Sequence, residues 1–307
     1  MKKLALAITL SLSALSLSAP QVALAKSVHK PAAARSAPAT PAVRPALWKL
    51  ADKDTTIWLF GTIHALPKGI KWLDGPIAKA FDSSDVLVTE IPESPPELLQ
   101  GAVMKLALLP KDQTLHGLMP KADAALMDKT LGEYGVPPAA LDKYEPWFAA
   151  LNMVQFPLMK GGYSAADGVE AQLTARAKAK GHPQEGLETV EYQLGLFDSL
   201  PQKTQLTYLH GVLINLPKMS SELDNLVKYW SAGNPAKLAA LMNADEDDPK
   251  LMEVLLTNRN RNWAKWIKAR MAKPGSVFIA VGAGHLAGAQ SVQAQLAKSG
   301  FRVTRVQ

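Results

Sequence analysis

The sequence predicts an α/β (α+β) protein with a central, mostly parallel sheet built from two halves, which a large helical insertion separates. Two observations carry this prediction. Apolar runs at residues 57–60 and 277–281 each lead into a Gly-x-x-His motif, Gly61 to His64 and Gly282 to His285. After each motif the pattern indicates a helix and a further strand. Strands that alternate with helices favour a parallel sheet covered by helices.

The first half begins with a predicted hairpin, in which residues 47–50 and 55–64 flank a polar turn at residues 51–54. A short helix is predicted over residues 76–81. A buried strand over residues 86–90 then ends in the carboxylate of Glu90. The first half is therefore predicted to run strand, Gly-x-x-His, helix, strand.

The insertion, residues 95–272, is predicted to be mostly helical because apolar residues recur at helical spacing between Pro and Gly breaks. One strand is predicted near residues 183–188, after a helix over residues 169–180. The second half follows with a strand at residues 277–281, the motif, a helix at residues 289–298 and a final strand at residues 301–306.

The N-terminus has the features of a secretory signal over residues 1–25, with Lys2 and Lys3, an apolar stretch and a cleavage pattern that ends at Ala25. We therefore expect a periplasmic or secreted protein. An uncleaved anchor is the alternative, which the short and Ser-rich stretch disfavours. Residues 26–45 are rich in Pro and Ala, a composition that predicts a disordered linker. The folded domain is predicted to comprise residues 46–307.

Composition excludes several classes of protein. With no cysteine, the chain has no disulfides, thiolate chemistry or Cys-ligated zinc. The net charge of +7 is not arranged as a basic stripe with aromatic residues, so nucleic acid is not an expected partner. Weak association with an anionic envelope surface stays open. We expect no transmembrane segment after signal cleavage.

The two motif histidines are the first candidates for chemistry. Gly61 and Gly282 permit a tight turn and the close approach of a ligand at the end of a strand. Ligands bind beyond the carboxyl ends of parallel strands, and imidazole is both a metal ligand and a general base. The alternative is that His64 and His285 only cap turns. Their equivalent contexts favour a function.

Acidic residues at neighbouring positions extend the candidate site. Glu90 would complete a site of two histidines and one carboxylate with an open metal position. Glu170 and Glu188 are candidates for a general base or a metal ligand. A residue in the first turn of a helix, such as Glu170, is also explained by the helix dipole alone.

Arg259 and Asn260 are the remaining candidates, on a predicted helix. They would fix a carboxylate or stabilise an oxyanion if they point into a pocket. The alternative is a solvated polar face of that helix, with Trp263 in the core.

Together these residues resemble the TraB/GumN family, which includes the pheromone-shutdown proteins and is related to the Tiki metalloproteases. The resemblance covers nearly the whole mature chain, and six short segments carry it: residues 59–64, 85–90, 168–170, 186–189, 259–260 and 281–286. It implies a helical insertion between two sheet-forming halves, paired Gly-x-x-His motifs and a glutamate at one site. Tiki relatives are similar to divalent-metal proteases, and erythromycin-esterase-like relatives use a similar fold for hydrolysis.

From the residues and this resemblance, we expect an exported metal-dependent hydrolase that acts on a peptide. His64, Glu90 and His285 would hold Mn²⁺, Co²⁺ or Zn²⁺, and Glu170 or Glu188 would move protons. Arg259 would stabilise developing charge, and the substrate contacts would come from Gly61, Asn260 and Gly282. One alternative is a non-catalytic periplasmic protein that sequesters a peptide, a metal or haem. Another is a factor in envelope polysaccharide production, which only the GumN name suggests.

Overall fold

The computed structural model describes residues 43–242 and 249–307. The predicted signal and most of the predicted linker lie outside the described residues. Three residues assigned to the linker do contact the domain: Val43 packs against the core, Arg44 N–H donates to Ser231 O at 2.7 Å, and Pro45 O accepts from Gln307 Nε2 at 2.9 Å. The contacts of the folded domain therefore begin before Ala46.

The predicted fold class is confirmed: a mostly parallel sheet is combined with a large helical region. The strands are β1 (Leu47–Ala51), β2 (Thr55–Thr62), β4 (Val86–Thr89), β6 (Gln184–Gly186), β7 (Gly275–Gly282) and β8 (Thr304–Arg305) in the main sheet, with β3 (Leu66–Pro67) and β5 (Tyr163–Ser164) in a small second sheet. The main sheet has the order β6-β4-β7-β2-β1-β8. Strands β6, β4, β7 and β2 are parallel, whereas β1 is antiparallel to both of its neighbours.

The helical elements up to the second motif are α1 (Gly75–Asp82), α2 (Pro96–Leu106), α3 (Leu115–Leu118), α4 (Lys121–Glu133), α5 (Pro146–Lys160), α6 (Val169–Lys180), α7 (Val190–Asp198), α8 (Gln202–Ser231), α9 (Pro235–Met242), α10 (Pro249–Met252) and α11 (Asn258–Arg270). Short 3₁₀ turns lie at Pro138–Leu141, Ala165–Asp167 and Ala283–Leu286, and a π turn, Glu253–Thr257, leads into α11. The last helix is α12 (Val292–Lys298). No helix in the described parts of the chain is both long and apolar enough to span a membrane.

The predicted hairpin is confirmed, with Leu47 paired to Phe60, and so are the helices predicted at residues 76–81 and 169–180. The last two predicted elements need correction. Helix α12 starts at Val292, where the Ser291 hydroxyl accepts from Ala294 N–H, and the final strand is only Thr304–Arg305. Strand β7 of the second half lies between β2 and β4 of the first, so the two halves interleave in the sheet.

Alternating side chains of the central strands supply two cores on opposite faces of the sheet. Phe60 and Phe278 face the large core that the helical insertion covers. Ile57 and Ile279 face a smaller core, which also contains Trp263 of α11. A strand directs successive side chains to opposite faces of the sheet. The apolar runs at β2 and β7 are continuous because both faces of the sheet are buried there.

Candidate functional site

The carboxyl ends of three neighbouring parallel strands bring the predicted site together. Strand β7 lies between β2 and β4, so the chain segments that follow all three leave the sheet at one edge. His64 follows β2, Glu90 follows β4, and His285 lies in the 3₁₀ turn after β7. The His285 Nε2 to Glu90 Oε1 distance is 3.9 Å. The sheet topology therefore explains why residues more than 190 positions apart share one site.

The motif glycines let the loops at this edge approach each other. A Cβ atom on Gly61 would lie 3.0 Å from the Cα atom of Ala283, in the other motif. The Gly61 carbonyl accepts a hydrogen bond from Trp230 Nε1 at 2.7 Å, and Gly282 N–H donates to Glu90 Oε1 at 2.7 Å. Both glycines, predicted to contact substrate, thus have internal packing and hydrogen-bonding roles in this arrangement.

Helix α6 delivers Glu170 to His64. Gly168 caps the helix so close to the first motif that a Cβ atom there would lie 2.0 Å from the His64 carbonyl oxygen. The next residue, Val169, donates its N–H to Ile63 O at 3.0 Å. In the first turn, Glu170 Oε1 then comes 2.7 Å from His64 Nδ1. Gly168 is therefore needed for close contact between this helix and the first motif.

The pair formed by His64 and Glu170 has polar atoms without partners. His64 Nε2 and both Glu170 carboxylate oxygens are buried and make no hydrogen bond of acceptable geometry, and the 2.7 Å contact between Glu170 Oε1 and His64 Nδ1 is an ion pair only when His64 is protonated. Burial favours the neutral form of His64, but the Glu170 carboxylate outweighs it and raises the pKa of His64 above 6.5. Buried polar atoms normally have a partner, so these atoms are available to a ligand or to water.

A second, more deeply buried cluster is centred on Arg259 of α11. Its Nη2 donates to Glu90 Oε2 at 2.6 Å and to Glu188 Oε2 at 2.8 Å. Gln193 Nε2 donates to the same two carboxylates, and Trp263 Nε1 donates to Glu188 Oε1 at 2.8 Å. Burial opposes ionisation of Glu90, yet Arg259 and the neighbouring donors lower the pKa of Glu90 to about 2. Both carboxylates are therefore extensively hydrogen bonded within the protein.

His285 belongs to this second cluster. Its Nδ1 lies 2.6 Å from Asn260 Oδ1, and its Nε2 lies 3.2 Å from Arg259 Nη1. Burial, together with the positive charge of Arg259, lowers the pKa of His285 to about 3. Asn260 is buried and also donates to Gln290 O at 2.8 Å, so both ends of its amide are bonded inside the protein. The predicted contact of Asn260 with a substrate is replaced here by a contact with His285.

Exposure separates the two clusters. The side chains of His64 and Glu170 are 13% and 22% exposed, whereas that of His285 is 2% exposed and that of Arg259 is 5% exposed. Thr62 adds another buried hydroxyl without a partner beside the first motif. His64 and Glu170 are therefore the more exposed part of the site, whereas Thr62, Arg259 and His285 are buried.

Sequence reasoning missed Gln193, Trp263 and Thr62 as members of the site. Gln193 and Trp263 lie on helices whose apolar periodicity indicates only core packing, and Thr62 is an interior position of the first motif. The one available signal is the five-residue spacing of Glu188 and Gln193 around the start of α7. That spacing alone does not identify a hydrogen-bond partner.

The three predicted metal ligands do not fit one shared ion in this arrangement. The lone pair of His285 Nε2 faces Arg259 Nη1, and the two oxygens of Glu90 accept from Gly282, Arg259 and Gln193. A guanidinium beside both groups would repel a second cation. Within residues 43–242 and 249–307, no three His, Asp or Glu side chains are grouped so as to hold a metal ion.

Fold and site together define a mostly parallel α/β protein with two Gly-x-x-His loops at one edge of its sheet. The sequence matches the TraB/PrgY/gumN family over residues 46–305. The chain belongs to this family, and the match covers nearly all of the described domain. Comparisons with curated proteins and with solved structures gave no match.

Proposed function

We propose that this protein is a hydrolase in which His64, held by Glu170, activates a water molecule for attack on an acyl carbon. The observation that carries the proposal is the unpartnered Nε2 of His64, on a ring whose Nδ1 lies 2.7 Å from the Glu170 carboxylate. A histidine whose Nδ1 faces a carboxylate and whose Nε2 has no partner has the arrangement of a general base.

The reaction uses His64 in two successive roles. Its Nε2 takes a proton from water while the water oxygen forms a bond to the substrate carbonyl carbon. Glu170 stabilises the imidazolium that results. The same proton then passes to the leaving nitrogen or oxygen as the C–N or C–O bond breaks, which restores neutral His64. The Thr62 hydroxyl is free to donate to the substrate.

The substrate class that we propose is a peptide. A narrow cavity beside Thr62 is walled by Leu226, Leu238 and Met242 and floored by the second motif. Its volume of about 10 Å³ is that of a single water molecule, so it does not accommodate a peptide side chain. Neither this cavity nor the more open groove beside Trp48 and Pro235 is lined by His64 or Glu170. The support for a peptide is the resemblance of the paired Gly-x-x-His motifs to those of the Tiki metalloproteases.

The test compares His64→Gln and Glu170→Gln with a matched control, His210→Gln. His210 also pairs with a carboxylate, at 2.9 Å from Asp123, but on the helical insertion. With a peptide and ester library, His64→Gln should reduce kcat by about 10²- to 10⁴-fold. Glu170→Gln should reduce it less, and His210→Gln should match the parent. Equal rates for all three variants would contradict the proposal.

Two further measurements distinguish this hydrolase from a metal-dependent hydrolase and from a binding protein. Because no step uses a metal, a chelator should leave the parent rate unchanged. A rate that is lost with chelator and restored by Mn²⁺, Co²⁺ or Zn²⁺ would instead support the metal-dependent hydrolase expected from the sequence. Ligand binding without any turnover would support a binding protein.

We also propose that the protein acts in the periplasm or after secretion. The charged start, apolar stretch and Ala-x-Ala pattern of residues 1–25 support export. The mass of the protein recovered from the cell envelope or medium tests this proposal. It should correspond to a chain that starts at Lys26, and a chain retaining residues 1–25 would contradict cleavage.

A further inference from the structure

Every N–H donor of Arg259 is already used inside the protein. A guanidinium has five such donors and no acceptor. Nε donates to Glu188, Nη1 to Leu255 O and toward His285, and Nη2 to Glu90 and Glu188, with distances from 2.6 to 3.2 Å. Arg259 therefore has no donor left for a substrate, in contrast to the expectation that it stabilises developing charge directly.

This bonding pattern defines the protonation of His285. Since Arg259 can only donate, His285 Nε2 must accept and so carries no hydrogen. Asn260 Nδ2 donates to Gln290 O at 2.8 Å, which turns the amide oxygen toward His285. The hydrogen of the ring therefore lies on Nδ1, which donates to Asn260 Oδ1 at 2.6 Å. The result is a neutral ring with one defined tautomer.

The surroundings of His285 hold that ring in place. Its side chain is 2% exposed, and its centroid lies 4.3 Å from the ring of Trp263, which Arg259 also contacts. A metal ion could reach Nε2 only by displacing a guanidinium that bridges two buried carboxylates. Breaking such a buried ion pair is strongly unfavourable because it leaves uncompensated charges in the interior.

We propose that His285 is a positioning residue, whose neutral ring holds the Arg259 guanidinium as the permanent cation between Glu90 and Glu188. The two motif histidines then have different tasks: His64 reacts, and His285 fixes the charged cluster behind it. Glu90 and Arg259 both act electrostatically on His64, so their placement matters for its reaction. This division of tasks rests on the proposed hydrolysis, but the tautomer of His285 does not.

The direct test is ¹⁵N NMR of the histidine rings in the full mature protein. Between about pH 5 and 8, His285 should show a protonated Nδ1 and a bare Nε2, while a free histidine would titrate. Adding Zn²⁺ alone should leave the His285 ring signals unchanged. A protonated Nε2, or a shift of Nε2 on adding Zn²⁺, would overturn the proposal.

A pair of variants tests the positioning role. The amide of His285→Gln can place an acceptor near the original Nε2, whereas His285→Asn reaches only the Nδ1 position. If positioning of Arg259 matters, His285→Asn should lose about 10- to 100-fold in kcat/KM, as expected for one charged hydrogen bond, and His285→Gln should recover most of it. Equal losses in both folded variants would overturn the role. If the parent cleaves no substrate, the proposed function fails, and the ring signals still decide the tautomer.

Discussion

Replacing Gly168 by alanine tests the contact that brings Glu170 to His64. The added methyl group would lie 2.0 Å from the carbonyl oxygen of His64 and 2.7 Å from its carbonyl carbon. These are backbone atoms, which cannot rotate away as a side chain can. The φ angle of Gly168 is −61°, so an alanine meets no torsional penalty and the effect is purely steric. Relief requires α6 to move away from the first motif.

The expected cost follows from what that movement breaks. Overpacking of a well-packed site costs about 1–3 kcal/mol. Separation of α6 also breaks the bond from Val169 N–H to Ile63 O, worth about 1 kcal/mol. The free energy of unfolding should therefore fall by roughly 2–4 kcal/mol. For a domain of this size, this corresponds to a decrease in Tm of roughly 4–16 °C.

Urea unfolding and thermal melting measure this effect, with Gly101→Ala as the matched control. Gly101 lies inside α2 with no atom within 4 Å of a Cβ, so alanine there should stabilise the protein by about 0.5–1 kcal/mol. Hydrolysis by Gly168→Ala should fall as well, because Glu170 moves with α6. If Gly168→Ala were as stable as Gly101→Ala, the close approach of α6 to the first motif would be refuted.

Two further predictions concern stability. A chain that starts at Ala46 should have a free energy of unfolding about 1–2 kcal/mol lower than one that starts at Val43. The shorter chain loses the packing of Val43 and the hydrogen bonds of Arg44 and Pro45. Equal midpoints in urea unfolding would contradict this. His116 lies 2.8 Å from Asp142 and 2.7 Å from Asp128. Burial opposes its charge, but these two carboxylates raise the pKa of His116 above 6.5. Its stabilisation, about 1 kcal/mol after solvent screening, is therefore complete below pH 6.5 and lost as pH rises through the raised pKa. Urea unfolding of His116→Ala should show a larger deficit near pH 6 than near pH 9, and a pH-independent deficit would contradict the charged pair.

The central strands β2, β4 and β7 were predictable because both of their faces are mostly buried. A run such as residues 277–281 has few polar residues in any register, so its burial is evident from composition alone. The convergence of His64, Glu90 and His285 also followed from their positions at strand ends. The final strand was overestimated because Phe301 and Val303 are apolar but pack from irregular chain against the smaller core.

The bonding within the site was not predictable in the same way. Arg259 and Asn260 were identified as candidates, but their neighbours come from strands and helices up to 169 positions away. A sequence pattern defines which face of a helix is apolar, and it does not define which carboxylate an arginine reaches. The same holds for Gln193, whose amide bridges Glu90 and Glu188.

The fold class, the parallel core strands and the location of the candidate site at the ends of those strands can be predicted from the sequence. These features depend on local periodicity and on the positions of glycine and histidine, which are properties of short segments. The approach of Glu170 to His64 and the position of Arg259 between Glu90 and His285 become defined only in the folded protein. Hydrogen-bond partners in a buried site are chosen by competition among all the groups that the packed elements bring within about 3 Å of one another, and that competition exists only after the chain has folded.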